Sequence, residues 1–393
     1  MPGTEEYNGF KKCSQDNPTS FIFTFPESND LCLVLRLPTT YRNINLKKNW
    51  RKIVNKVTLI PGDGIGPSIM EVAVNVLEAT GVPFQWDRQI AGMTAFDKFN
   101  TPLPEETIAS IRENRVAFKG PLTTPVGGGF RSVNVSLRQE FNLFANTRPA
   151  KSFEGTNTMY KNVDIVTIRE NTEGLYSGIE HDIIVEGEKV AAESIALITK
   201  KGSEKIIRFA FEYARKNNRK RVTVVHKANI LKATTGMFLE IGRKMASEYP
   251  DVDFTEKIID ACAMHIVMDP CYYDIIVTTN LFGDILSDLA AGLIGGLGLT
   301  PGANVGKDAA IFEAVHGSAP DIADKNIANP VAVIMAGVQM LSYFGELKMA
   351  ARVEKAVREV IKVGEKVTPD LNPDSGCNTQ EMGDAIIEKL HSF

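Results

Sequence analysis

Two aspartates four residues apart, Asp284 and Asp288, follow the β-branched apolar run 274–279 in the segment Asn280-Leu-Phe-Gly-Asp284-Ile-Leu-Ser-Asp288. Residues at this spacing share one helix face. Two carboxylates on one face can hold a hard divalent cation whose other positions are filled by water and a substrate oxygen. The plainer alternative is an N-capping Asp284 with a solvated Asp288 in the first turn. Lys227 and Asp260 stand in comparable places, just past the strand-like segments 221–225 and 254–259. Arg169 and Tyr176 follow a third, 163–168, and offer an anion anchor and a proton donor. An arginine paired with Glu170 and a half-buried tyrosine would also account for them. Ionisable groups gathered at strand ends are what an α/β active site needs. Ser132, Asn134, Arg138 and Arg148 add hydroxyl, amide and bidentate donors suited to a substrate with several carboxylates. A solvated amphipathic helix over 132–143 explains that segment equally well.

The elements that must position these groups are legible in outline. Val57 to Ile60 reads as a buried strand, Pro61-Gly62-Asp63-Gly64-Ile65-Gly66 as a turn, and Pro67 as the start of a helix with Ile69, Met70, Ala73, Val76 and Leu77 on its apolar face. The spacing is Gly-x-Gly-x-Gly, not the Gly-x-Gly-x-x-Gly of a dinucleotide fold, so a tight turn packing helix on strand is the equal or better reading. Residues 181–199 alternate as a hairpin turning at Glu186-Gly187-Glu188, of the kind that pairs with another chain. Helices are expected at 203–217, from Pro330 to about 344 and at 346–361, and Asn378 with Glu381 caps a last one. Gly127, Gly128 and Gly129 suit a mobile or closely approached loop. Asp321, after the strand-like 309–312, can accept from both ribose hydroxyls of NAD and would repel a 2′-phosphate.

The composition bounds the rest. A chain of 393 residues, 44% hydrophobic and 23% charged, can bury a large core, and a net charge of −4 argues against a general nucleic-acid or membrane-surface role. No run approaches the length of a membrane span. Five cysteines without metal-type spacing read as reduced thiols in an intracellular protein. Residues 1–35 carry five acids and two lysines, whereas 36–56 carry seven basic residues and no acid. This charge block sets residues 1–52 apart as an N-terminal extension, poorly ordered or a linker.

Taken together, Ile60-Pro-Gly-Asp-Gly-Ile-Gly66, Lys119-Gly-Pro121, Arg169-Glu-Asn171, Asn280 through Asp288 and His316-Gly-Ser-Ala-Pro-Asp321 resemble the β-decarboxylating dehydrogenases, the family of isocitrate and isopropylmalate dehydrogenases, over about 55–393. The resemblance implies two α/β domains with a cleft between them and a β-hairpin clasp arm. A large cofactor-binding domain would comprise 53–143 plus 296–393, and a small domain with the clasp and dimer interface 144–295. Ser132-Val-Asn134 followed by Arg138 is similar to the isocitrate dehydrogenase pattern, where isopropylmalate enzymes are apolar. The resemblance further implies Ser132, Asn134, Arg138, Arg148 and Arg169 as substrate-binding residues, Tyr176 and Lys227 as acid and base, and Asp260, Asp284 and Asp288 as ligands of Mg²⁺ or Mn²⁺. It implies NAD contacts from Ile65, Thr123, Asn229, His316, Gly317, Ser318, Ala319, Asp321, Ile322 and Asn329. Asp321-Ile322 replaces a Lys-Tyr pair of NADP-using relatives, so NAD is the expected cofactor. Because Lys227 and Asp260 come from the neighbouring subunit in this family, a homodimer or higher oligomer is implied. The expected activity is oxidative decarboxylation of isocitrate. The alternatives are homoisocitrate or another 3-substituted malate, or a non-catalytic regulatory subunit of a hetero-oligomer. The expected compartment is the cytoplasm of a bacterium or the mitochondrial matrix of a eukaryote.

Overall fold

The computed structural model describes residues 54–125, 130 and 132–393, together with the backbone of four short strands nearer the N-terminus. The chain divides into two units, Met1–Ile53 and Val54–Phe393. In the first, β1 (Glu6–Tyr7) pairs antiparallel with β2 (Phe10–Lys11), and β3 (Ser20–Phe23) with β4 (Leu33–Arg36). The rest of the expected linker 1–52, and the glycine loop Gly127–Gly129, lie outside the described residues.

The second unit opens with β5 (Asn55–Ile60), α1 (Gly66–Glu78), β6 (Phe84–Arg88), α2 (Met93–Phe99), α3 (Glu105–Asn114), β7 (Val116–Lys119) and α4 (Val133–Glu140). It continues through β8 (Ala145–Lys151), β9 (Asp164–Glu170), the hairpin β10 (Glu180–Val185) and β11 (Glu188–Ser194), α5 (Lys200–Lys216), β12 (Arg221–His226), α6 (Thr234–Ala246), β13 (Asp253–Ile258) and α7 (Ile259–Met268). The chain then forms β14 (Ile275–Thr278), α8 (Asn280–Leu293), β15 (Pro301–Val305), β16 (Ala310–Ala314), α9 (Val331–Tyr343), α10 (Leu347–Val363) and α11 (Thr379–His391).

Ten of these strands make one mixed sheet in the order β13-β12-β14-β9-β8-β15-β16-β7-β5-β6. The first five come from the segment 144–295 and the last five from its two flanks, so the antiparallel β8–β15 ladder is where the two groups of strands meet. The inner strands β5, β9, β12 and β14 pair in parallel with neighbours and are buried, as Val57, Leu59, Ile165, Val224 and Val277 show, which is why they read as continuous apolar runs. α1, α9, α10 and α11 cover one core with residues such as Ile69, Val76, Ile334 and Val357. α5 and α6 cover another with Ile206, Phe211 and Phe238.

Local signals hold at the element ends. Pro67 sits in the first turn of α1, and Asn378 and Glu381 form a reciprocal capping box at α11. The hairpin turns at Glu186 (φ 52°) and Gly187 (φ 83°), two left-handed residues in succession, as a twist-matched two-residue turn requires. Every residue of β10 and β11 is exposed. No helix among the described residues is long and apolar enough to cross a membrane.

Candidate active site

α8 begins at Asn280 after Thr279, so Asp284 and Asp288 lie in its second and third turns and neither is a cap. The helix turns both toward Arg148 on β8, and Asp284 also toward Arg169 near the end of β9. Arg148 on β8 reaches Asp284 Oδ1 and Asp288 Oδ1 at 3.2 Å each and donates to Ser287 Oγ at 2.8 Å. Arg169 on β9 pairs with Asp284 Oδ1 and donates from Nε to Asn280 Oδ1 at 2.9 Å. Arg169 is thus bound to α8 and not to Glu170, whose carboxylate accepts from the Thr172 and Glu173 amides. Gly283 makes this approach possible, because a Cβ there would meet Arg169 Cγ at 2.6 Å. Tyr176 donates its phenol hydrogen to Asp284 Oδ2, and the Arg169 guanidinium lies 5.1 Å from its ring centroid.

Arg138, in the last turn of α4, is buried and faces Glu313 Oε1 on β16 at 3.7 Å. Ser132 precedes the helix, and the Asn134 side-chain oxygen is buried without a hydrogen-bond partner. The Nη2 of Arg169 is likewise buried and unpartnered. Such unmet buried donors and acceptors are what a polar ligand would satisfy.

The electrostatics follow. Burial, with the charges of Arg148 and Arg138, lowers Arg169 to about 10. Burial raises the Asp284 carboxyl, but Arg169 and Arg148 outweigh it and hold it below the usual range. Asp288 moves up, through burial and the neighbouring Asp284 against the pull of Arg148. Burial and the bond to Asp284 raise the Tyr176 phenol, keeping its proton in place. The result is three guanidiniums around two carboxylates, an excess of positive charge fit for a polyanion.

Lys227 and Asp260 are elsewhere. Lys227 follows β12, Asp260 lies in the first turn of α7, and the two form an ion pair with each other. That pairing holds Asp260 below its ordinary range. Neither shares a hydrogen bond or ion pair with Arg148, Asp284 or Asp288. Among the described residues, no cluster of three acidic, histidine or cysteine side chains can hold a metal. One copy of the chain therefore brings together two of the three expected metal ligands.

Most expected cofactor residues converge on the β5–α1 elbow. Ile65 N donates to Ser318 O at 2.9 Å, and the hydroxyls of Thr123 and Ser318 are 2.7 Å apart. The elbow glycines serve this close packing, because a Cβ on Gly64 (φ +58°) would sit 2.0 Å from Ser318 O. His316 is kept neutral by burial and lies beside Gly317 O. Ala319 adopts φ 38° at the head of the turn carrying Asp321 and Ile322. Asn329 donates to Asp370 at 2.9 Å, tying in the segment after α10. Asn229 is not with them, since it lies in the exposed loop beside Lys227.

Several residues were given no site role in the sequence reading, although Asp63, Lys119 and Asn171 stand in its motifs. Lys119 and Glu313 face each other across the β7–β16 ladder as a buried ion pair at 2.6 Å. Burial would raise Glu313, but Lys119 and Arg138 hold it down to about 2. Asn304, Asn146 and Asn171 continue this polar interior toward Arg148. Asp63 accepts from the amides of Met93, Thr94 and Thr123, fixing the elbow to α2 and to the Thr123 loop. A lysine and a glutamate inside otherwise apolar strands were the available signal for the first pair.

The model of the isocitrate/isopropylmalate dehydrogenase family matches residues 56–386. The chain is 48% identical to the mitochondrial alpha chain of NAD isocitrate dehydrogenase from Macaca fascicularis, over 84% of this chain and 94% of that protein. It is 46% identical to a mitochondrial regulatory subunit of NAD isocitrate dehydrogenase from Dictyostelium discoideum, over 86% and 92%. The crystal structure of isocitrate dehydrogenase from Methylococcus capsulatus superposes with a TM-score of 0.84 at 68% identity, over 86% of this chain and 99% of that one.

Proposed function

The chain belongs to the isocitrate/isopropylmalate dehydrogenase family, and from that premise we propose that it is an NAD-dependent isocitrate dehydrogenase acting as a homodimer or higher oligomer with shared active sites. The reaction takes isocitrate and NAD⁺ to 2-oxoglutarate, CO₂ and NADH. The observation that carries this reading is the convergence of Arg148, Arg169 and Tyr176 on Asp284, with buried Arg138 beside them.

In this reading Arg138, Arg148 and Arg169 hold the substrate carboxylates, and Ser132 and Asn134 meet the one that distinguishes isocitrate from isopropylmalate. Asp284 and Asp288 are hard oxygen donors one turn apart, which fits Mg²⁺ or Mn²⁺, with Asp260 of a second copy as the third ligand. A bound cation there would acidify the 2-hydroxyl and take up the charge that develops as CO₂ departs. Lys227 of the second copy removes the hydroxyl proton, and Tyr176 returns one to the enolate carbon. Tyr176 is suited to the second step because its raised pKa keeps it protonated. The elbow residues Ile65, Thr123, Ser318 and Asp321 receive NAD, and Asp321 disfavours a 2′-phosphate. The segment 144–295 acts as the small domain, and closure over the cleft excludes water.

A non-catalytic regulatory role is the second reading, favoured by the regulatory protein from Dictyostelium discoideum in the set of relatives. The complete set Arg138, Tyr176, Lys227, Asp260, Asp284 and Asp288 favours catalysis. The eukaryotic relatives are mitochondrial, and in this reading the compartment is the mitochondrial matrix in a eukaryotic host and the cytoplasm in a bacterial one. The deciding experiment compares NAD and NADP reduction by the purified protein with Mg²⁺ on isocitrate, homoisocitrate, isopropylmalate and tartrate. Isocitrate with NAD should dominate. Preference for another malate replaces the substrate assignment, and an inactive homo-oligomer favours the regulatory role.

A further inference from the structure

We propose that Asn304 is a positioning residue that fixes Arg138 and Arg148 relative to one another, an inference that rests on reading these arginines as the carboxylate clamp. Asn304 lies in β15, is only 2% exposed, and uses every hydrogen-bonding position of its amide. Its oxygen accepts from Asn146 Nδ2 and Asn171 Nδ2 at 2.9 Å each. Its nitrogen donates to Glu313 Oε1 at 2.7 Å and to Ile311 O at 3.4 Å. On one side Asn146 Oδ1 takes the Nε of Arg148 at 2.7 Å. On the other, Glu313 Oε1 faces Arg138 Nη2 at 3.7 Å while Oε2 holds Lys119.

A continuous interior path therefore runs Arg148, Asn146, Asn304, Glu313, Arg138. It crosses the sheet where β8 meets β15, with Asn146 and Asn304 as direct partners in that ladder. Only one orientation of the Asn304 amide satisfies it. A flipped amide would set its NH₂ against two other amide donors and its oxygen against the Glu313 carboxylate. Backbone pairing holds β15 in the sheet without this side chain. What the side chain adds is the relative placement of two guanidiniums of the proposed carboxylate clamp, so its loss falls on tricarboxylate binding and spares NAD.

The test uses Asn304→Asp and Asn304→Ala, with Kd for isocitrate and for NAD measured by calorimetry from about pH 6 to about pH 9 beside thermal melts. Asn304→Asp preserves shape and the acceptor contacts but opposes Glu313 with a second carboxylate. Once protonated, the new acid donates to Glu313 as the amide did. Both variants should bind isocitrate about tenfold more weakly at the alkaline end, with NAD affinity within about twofold of wild type. In Asn304→Asp the deficit relative to wild type should close as the pH falls, whereas in Asn304→Ala it should stay flat. Parallel weakening of both ligands, a pH-independent deficit in Asn304→Asp, or wild-type isocitrate affinity throughout would overturn the proposal. Should Asn304→Ala fail to fold, the nearly isosteric Asn304→Asp carries the test. A wild type that binds isocitrate without oxidising it removes the catalytic reading and leaves this inference standing. If it binds a different 3-substituted malate, the substrate assignment fails and the same series on that acid decides the role of Asn304.

Discussion

Lys227 is ion-paired with Asp260, and neither shares a hydrogen bond with Asp284 or Asp288. Base and third metal ligand therefore travel together, apart from the acids they are proposed to serve. If the site is shared, two dead variants should complement. Co-assembly of Lys227→Met with Asp284→Asn should restore roughly a quarter of wild-type activity, because half the dimers are mixed and each mixed dimer has one intact site. Activity no greater than the sum of the separate variants would exclude the shared site.

Tyr176 and Lys227 should fail differently. Each substitution, Tyr176→Phe and Lys227→Met, should cut overall turnover by about 10²–10⁴. Tyr176→Phe should retain more of the reduction of supplied oxalosuccinate than Lys227→Met does, because that half-reaction needs no proton at the enolate carbon. Equal losses in this assay would remove the division of labour.

Metal affinity should weaken on the acid side through Asp288 first. Its carboxyl is raised by burial and by Asp284, while Asp284 itself is held low by Arg169 and Arg148. As the pH falls, Asp288 takes a proton before Asp284, and a protonated carboxyl is a poor ligand. Mn²⁺ titration followed by electron paramagnetic resonance should show this fall, and Asp288→Asn should bind Mn²⁺ about 10–100-fold more weakly at neutral pH. An unchanged Mn²⁺ affinity in that variant would remove Asp288 from the ligand set.

Glu313 should matter to stability in a defined pH window. Its carboxyl falls from 4.5 to about 2 on folding, so its contribution is complete above 4.5 and is lost as the pH drops through the folded value. Glu313→Gln strands Lys119 as a buried charge and should cost about 3–5 kcal/mol at neutral pH in urea unfolding. The difference from wild type should narrow below pH 4.5. A difference that widens there would contradict the assignment.

Cofactor choice should turn on Asp321, which is exposed in the middle of its turn. Asp321→Lys should lower kcat/KM for NAD by about tenfold and raise it for NADP, the substituted lysine now meeting a 2′-phosphate. Unchanged discrimination would place the 2′-position elsewhere.

Three strands were legible in sequence because they are buried, whereas the exposed hairpin β10–β11 was legible from its alternation and its turn. Val57–Ile60, 163–168 and 221–225 advertise themselves because parallel strands have no polar side. β8 and β15 gave no such signal. β8 carries Asn146, Thr147, Arg148 and Pro149, and β15 begins Pro301-Gly302, a composition that reads as loop. Their polar groups are buried because they satisfy one another, and Asn146 meets Asn304 across 158 positions. Local periodicity carries no trace of such a pairing. The same limit put Asp284 at a helix cap in the plainer reading, since the boundary is set by Thr279 and by the packing of Gly283 on Arg169.

The β10–β11 arm has a consequence for the life of the chain in the cell. A lone copy displays Ile183, Ile184, Val185 and Val190 on an uncovered two-stranded ribbon with open edges. Those are the features that chaperones hold and proteases clear. If a second copy covers this arm, as proposed, abundance should follow a threshold: below the concentration at which copies meet, newly made chains turn over, and above it they persist. A fusion that shields only this arm should lengthen the half-life of the chain without touching its active-site residues.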